Sequence, residues 1–290
     1  MASKYDDMPN FDCCWDKRTD GPYPIAWNKW RWINISVMGF CLGWTLAVLI
    51  VALLYPACYT IGTFYAAFAP QPVLGFGVDL TDFNPGFFLA IMPFTVFVTR
   101  LWFSIYHDKW FMWFMTRRMN YIRWVEIALG SAAHMFVMFV VLGVVDFLAA
   151  ASMAVLSTVP IALYAAHEYV WSMRLDMLVE SASKTIASER RTTTLTVFWA
   201  GLTYKSVPFG LIFFYLTSEW APIPSLIKAA ALGTLIYMIV LPFMVYCDYN
   251  ARFHFKQYAW SEALYLGAYL AWGVYETILL QYFLAYNSCM

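Results

Sequence analysis

Seven stretches of this chain are long and apolar enough to cross a bilayer as helices. The hydrocarbon core of a membrane is about 30 Å thick, and a helix needs roughly 20 apolar residues to span it. The stretches are about 32–55, 86–106, 121–145, 147–171, 194–217, 225–248 and 260–286. Four of them contain a proline, which membrane bundles tolerate as a kink. We therefore predict an all-α membrane protein, a bundle of seven transmembrane helices.

Composition supports a multi-pass integral membrane protein. Of the 290 residues, 62% are hydrophobic and only 12% are charged, whereas charged residues make up about 25% of a typical soluble domain. The formal net charge is zero, so no nucleic-acid partner is indicated. The six cysteines, including the adjacent Cys13 and Cys14, lack metal-ligand spacing, so we expect no metal site. Neither the redox state of this pair nor the membrane follows from the sequence, although an organellar inner membrane is compatible.

The positive charges separate the two sides of the membrane. Lys and Arg occur in the N-terminal arm and in the loops after spans two, four and six, and are absent from the other loops and the C-terminal tail. By the positive-inside rule, the N-terminus lies inside and the C-terminus outside. We predict a polar N-terminal arm at 1–31 and a seven-helix domain at 32–290. The long outside loop 56–85 is predicted to be an ordered cap or hairpin.

Ionisable side chains within the spans are costly in hydrocarbon unless they are paired, and they mark candidate functional positions. The candidates inside the spans are Arg100, Arg123, Glu126, His134, Lys205 and Glu276, and His167, Glu168 and Asp248 lie near span ends. Lys205 and Glu276 lie at similar depth, so we predict an ion pair between them, with Glu126 and Arg100 as a second candidate pair. The alternative is a relay for protons or ions, or a counter-ion for a chromophore. His134 alone on an apolar face is more typical of a hydrogen-bonded packing residue than of a ligand.

No pattern typical of an enzyme is present. The chain lacks an HExxH motif, a GxSxG elbow, a Walker loop and a clustered set of His and Cys. We therefore expect no catalytic residues and a protein that is not an enzyme.

Two segments carry a resemblance to a known family. Span three, "IRWVEIALGSAAHMFVMFVVLGVVDF", resembles the third helix of heliorhodopsins, whose signature is R-W-V-E with a serine five residues later; here these are Arg123 to Glu126 and Ser131. Span five, "VFWAGLTYKSVPFG", is similar to the family's F-W-x-G…V-P-W stretch, although Phe209 stands where the family has tryptophan. Heliorhodopsins are seven-helix retinal proteins with the N-terminus inside. The resemblance therefore implies a rhodopsin-like bundle in the orientation that the charges predict.

The resemblance also implies roles for individual residues. In the family, the counterpart of Glu126 is the counter-ion of a protonated retinal Schiff base, and the counterpart of Arg123 supports it. The retinal is bonded to a span-seven lysine, eleven residues after a glutamate; counting from Glu262 leads to Gly273, and no lysine follows Lys256. We therefore expect a vestigial counter-ion region at Glu126, Arg123 and Ser131, and no retinal at Gly273. A bulky neighbour such as Trp272 or Tyr275 in the retinal space would support the loss of photochemistry.

Two functions are compatible with this sequence. The first is a non-photochemical structural or accessory subunit of a larger respiratory, photosynthetic or viral membrane assembly. Such a protein would contact the bilayer and either other membrane subunits or a second copy, with no cofactor beyond a bound lipid. The alternative is a light sensor or ion-handling protein that binds retinal or another pigment at Lys205 or non-covalently. In the family, this part of span five lines the ring end of retinal rather than the Schiff-base end.

Overall fold

A computed structural model describes most of the chain. The described residues are 26–56, 59–67, 73–106, 111, 114, 119–144, 146–180, 184–217, 224–251 and 255–286. Within these ranges, the description leaves out the side chains of 26–29, 59–83, 171–195, 247–259, Lys205, Phe209, Tyr215 and Leu216. The predicted arm up to residue 25, with Cys13 and Cys14, lies outside the described residues.

The described chain contains seven helical spans that are long and apolar enough to cross a membrane. The elements in chain order are α1 (Ala26–Leu54), β1 (Tyr59–Ala67), β2 (Val73–Phe83), a short 3₁₀ helix (Pro85–Ala90), α2 (Ile91–Ile105), α3 (Tyr121–Val141), α4 (Phe147–Leu156), α5 (Val159–Glu180), α6 (Lys184–Thr217), α7 (Ser225–Ala251) and α8 (Phe255–Tyr286). The prediction of a seven-helix bundle is confirmed, while its orientation in the membrane stays a prediction.

The fourth span is interrupted, which the apolar pattern did not indicate. α4 ends at Leu156 and α5 begins at Val159, and the two together form the span 147–170. Pro160 explains the break, because it has no backbone N–H to bond to the carbonyl of Leu156. Other helices extend beyond the predicted spans: α6 begins at 184 and α8 at 255. An apolar count detects only the part of a helix that lies in hydrocarbon, so polar extensions escape it.

The long loop after the first span contains a β-hairpin. β1 and β2 pair antiparallel, with Tyr59 opposite Phe83 at one end and Ala67 opposite Val73 at the other. The sequence predicted a cap or hairpin here, and the hairpin is what forms. Asn84 then joins the hairpin to the bundle, because its side-chain amide donates to the carbonyl of Ala52 at the end of α1, at 2.8 Å.

Glycines allow close contacts between neighbouring helices. The glycine–tyrosine pairs are Gly130 of α3 with Tyr269 of α8, Gly201 of α6 with Tyr164 of α5, and Gly233 of α7 with Tyr275 of α8. A methyl group at any of these glycines would overlap the ring of the partner. Small residues at helix interfaces have this role in membrane proteins, because they let backbones and large side chains approach closely. The contact at Gly130 brings Tyr269 onto α3, the helix that carries most of the polar site.

Candidate functional site

The buried carboxylate of Glu126 forms an ion pair with Arg100 of α2. Arg100 Nη2 lies 2.8 Å from Glu126 Oε2, and the hydroxyl of Thr99 donates to the other oxygen. Arg100 also donates to Asn34 Oδ1 of α1, at 3.3 Å. Arg100 and Glu126 are only 4% and 2% exposed. The second of the two ion pairs that the sequence suggested is therefore present, and it joins α2 to α3.

Arg123 pairs with two other carboxylates. Its Nη2 lies 2.6 Å from Glu168 Oε2 of α5, and its Nη1 pairs with Glu262 Oε1 of α8. Trp124 donates its indole N–H to Glu168. Asn120 donates its backbone N–H to Glu168 at 3.0 Å and its side-chain amide to Glu262 at 2.8 Å. One arginine thus holds three helices together, and every one of these groups is buried.

The two ion-pair groups form one charged layer near an end of the bundle. Arg100 lies near the end of α2, Arg123 and Glu126 near the start of α3, and Glu262 near the start of α8. Between them is a cavity of about 10 Å³, which is room for about one water molecule. The guanidinium of Arg123 also lies over the ring of Tyr265, at 4.1 Å from its centroid. In the predicted orientation this layer is on the inner side.

A second polar group lies deeper in the bundle. His134 contacts the carbonyl of Gly130 through Nδ1 and the hydroxyl of Thr277 through Nε2, both at 3.0 Å. Next to Thr277 is Glu276, whose Oε1 lies 2.6 Å from the hydroxyl of Thr234 of α7. His134 is therefore held by hydrogen bonds inside the core. The side chain of Lys205 lies outside the described part of the chain, so its pairing with Glu276 stays a prediction.

Aromatic side chains fill the space between the two polar groups. Tyr237 and Trp272 are stacked, with ring centroids 4.3 Å apart and planes 6° apart. Trp272 also lies against the rings of His134 and Tyr269. Of the two residues that the sequence suggested as fillers of this space, Trp272 is buried, whereas Tyr275 is 44% exposed.

Little room remains on the side of this stack that faces the bundle interior. A cavity of about 20 Å³ is lined by Ser131, Met135, Ser157, Ile161, Thr234, Tyr237, Met238, Leu241 and Trp272. Ser131, predicted as part of the counter-ion region, thus lies beside the aromatic stack and not among the charges. Gly273 is buried in the same part of α8, and a Cβ atom there would overlap the thioether of Met92. This position has no space for a side chain unless Met92 moves.

Some site residues were not identified from the sequence. Asn34 and Thr99 are polar groups in apolar helices, and nothing in their spacing points to Arg100 or Glu126. Asn120 had a signal, because an asparagine before a helix is a typical N-cap, and its Oδ1 accepts from the N–H of Arg123 at 3.2 Å. Within the described ranges, no three His, Cys, Asp or Glu side chains come together as a metal site would require.

Comparison with known proteins identifies the family of this seven-helix bundle. The sequence model of the heliorhodopsin family matches residues 29–279, which include six of the seven spans and most of the last. No curated protein sequence matches the chain. Seven apolar helices and a family match over most of the length identify a multi-pass integral membrane protein, and the chain belongs to the heliorhodopsin family.

Proposed function

We propose that this protein keeps the heliorhodopsin fold without its photochemistry and serves as a structural or accessory subunit of a larger membrane assembly. The observation that carries the proposal is Gly273, which stands where the family's lysine is expected. An imine with retinal requires a primary amine, and no lysine follows Lys256. Under this proposal the protein is not an enzyme and binds no cofactor, while a bound lipid is compatible with its role.

The surroundings of Gly273 support this proposal. A Cβ atom at this position would overlap Met92 and would lie 3.0 Å from the ring of Trp44. The space inside the bundle is also small. The inner cavity along the Tyr237–Trp272 stack measures about 20 Å³, whereas pockets for ligands of drug size measure about 300–1,000 Å³. A larger space of about 420 Å³ on the other side of the stack is an open groove between α7 and α8. The residues present at this place therefore do not fit a retinal bonded to α8.

The charges support the proposal as well. A buried carboxylate needs a partner, because an unpaired charge in hydrocarbon is costly. In the family this partner is the protonated Schiff base, but here Arg100 and Thr99 already occupy both oxygens of Glu126. The counter-ion position is thus satisfied by the protein itself. No observation on the described residues favours the alternative of a pigment at Lys205.

The accessory role rests on the outer surface of the bundle. Large aromatic side chains face outward on several helices; the exposed tryptophans in the described spans are Trp32, Trp102, Trp199 and Trp260. Aromatic residues are enriched at protein–protein interfaces, and in a membrane they can pack against neighbouring subunits as well as lipid. We propose that the partner is another membrane protein or a second copy of this chain, and not a nucleic acid.

Extraction in a mild detergent tests the accessory role. We expect the protein to migrate on a native gel and in size-exclusion chromatography as part of a complex, with partner subunits or with itself. A harsh detergent, as the control, should reduce the same sample to monomers. A free monomer in mild detergent, at several protein concentrations, would contradict the accessory role. The proposed loss of photochemistry would not be affected by that result.

A further inference from the structure

Four glutamates are buried in the described part of the bundle, and they differ in what faces them. Glu126, Glu168 and Glu262 each pair with an arginine. Glu276 is 0% exposed, and its carboxyl group contacts the hydroxyl of Thr234. Its second oxygen, Oε2, has no hydrogen-bond partner among the described residues. The surroundings of Glu276 are therefore not those of the three glutamates that pair with an arginine.

The hydrogen bonds of Thr234 fit a protonated Glu276. Thr234 Oγ1 lies 2.6 Å from Glu276 Oε1 and 3.3 Å from the carbonyl oxygen of Ala230. A carbonyl can only accept, so the hydroxyl can donate to Ala230 and accept from Glu276. A proton on Glu276 Oε1 is then donated to Thr234 Oγ1, and the hydroxyl proton of Thr234 is donated to the carbonyl of Ala230. A carboxylate would instead rely on one hydroxyl in an apolar interior, where an unpaired charge is strongly disfavoured.

A groove between α7 and α8 opens to the lipid close to this acid in the chain. The groove has a volume of about 420 Å³. It is lined by Leu232, Gly233, Ile236, Tyr237, Val240, Ala268, Ala271, Trp272 and Tyr275. Leu232 and Ile236 are more than half exposed on its outer wall, and in a transmembrane helix such a face meets hydrocarbon. Gly233 and Tyr275 are the chain neighbours of Thr234 and Glu276. Glu276 itself does not line the groove, so an apolar molecule there reaches the acid only when the contact between Gly233 and Tyr275 opens.

We propose that Glu276 is a neutral carboxylic acid that holds its proton inside the membrane, and that an apolar carbodiimide entering from the lipid modifies it. In this reaction the acid O–H adds across one C=N bond. The oxygen bonds to the central carbon, and the proton goes to nitrogen. The acyl group then moves from oxygen to nitrogen and leaves a stable N-acylurea. Nothing departs and nothing is oxidised, so the peptide gains the full mass of the reagent.

Infrared spectroscopy and carbodiimide labelling test the two parts of this proposal on the full-length protein in lipid nanodiscs. We expect the C=O band of a protonated carboxylic acid, which Glu276→Gln removes and Glu126→Gln keeps. Dicyclohexylcarbodiimide should add to the peptide that contains Glu276 and not to the peptide that contains Glu126. Tyr275→Ala removes the ring that covers Gly233, so we expect it to raise the labelling rate several-fold.

The opposite results overturn the proposal. If the wild type and Glu276→Gln have the same infrared spectrum, Glu276 is ionised. An ion pair with Lys205 is the specific alternative, and then Lys205→Ala would create a band and an adduct that the wild type lacks. A band without an adduct in either the wild type or Tyr275→Ala would contradict entry from the lipid. None of these outcomes depends on retinal, so they are separate from the test of the proposed function.

Discussion

Replacement of Arg123 by methionine is expected to prevent this protein from accumulating in its folded form. Methionine keeps most of the side-chain length but removes the charge that Glu168 and Glu262 share. Two buried carboxylates would then lose the guanidinium that both contact. Loss of one partner from a buried ion pair typically costs about 3–5 kcal/mol, and here a single change removes a partner from each carboxylate. A loss of this size is comparable to the whole stability of many proteins, about 5–15 kcal/mol.

The yield of monodisperse protein and its thermal unfolding midpoint measure this effect. Arg31→Met is the matched control, because Arg31 is an exposed arginine of α1, and it should leave both quantities nearly unchanged. The triple variant Arg123→Met, Glu168→Gln and Glu262→Gln should recover part of the loss, since it removes the two buried negative charges as well. A single variant Arg123→Met as stable as the wild type would contradict the described role of the charged layer.

Trp272→Ala is expected to destabilise the bundle by about 3–5 kcal/mol, the range found when a large buried aromatic residue is truncated. Trp272 is 6% exposed, and its ring is stacked on Tyr237 and lies against His134 and Tyr269. Truncation would leave a cavity at the centre of α8, where three helices meet. Trp272→Phe should lose much less, because an aromatic ring remains to stack on Tyr237.

The midpoint of thermal unfolding in one detergent compares these variants. Trp260→Ala is the control on the same helix, because Trp260 is 72% exposed, and we expect little change from it. Equal midpoints for Trp272→Ala and Trp260→Ala would mean that the aromatic stack does not support the bundle. The packing that fills the retinal space would then make no measurable contribution to the stability of the bundle.

The fold could be predicted from the sequence because each transmembrane span carries its own signal. A run of about 20 apolar residues is a local property, and all seven runs became helices. The break between α4 and α5 and the polar extensions of α6 and α8 are less visible, since they depend on one proline and on helix outside the hydrocarbon. The long loop rich in Gly, Pro and aromatic residues predicted an ordered cap or hairpin, without deciding between the two.

The candidate site was only partly predictable, because its contacts join distant parts of the chain. Arg100 and Glu126 are 26 residues apart, and Arg123 and Glu262 are 139 apart. The sequence shows that these side chains are polar and lie in spans, but not which helix faces which. Arg123 and Glu126 share a face by spacing, yet their guanidinium and carboxylate pair with different helices. The choice between Trp272 and Tyr275 likewise depends on the rotation of α8, which periodicity alone does not determine in an evenly apolar helix.

Addition of all-trans-retinal to the purified protein tests the loss of photochemistry most directly. The wild type and Lys205→Ala should be measured together, beside a retinal-binding rhodopsin as the positive control. The structure of the site predicts that both show only the absorption of free retinal, with no visible band that hydroxylamine bleaches. A visible band in the wild type that hydroxylamine bleaches and that Lys205→Ala lacks would contradict the account, because it would mean that this bundle still forms a retinal Schiff base.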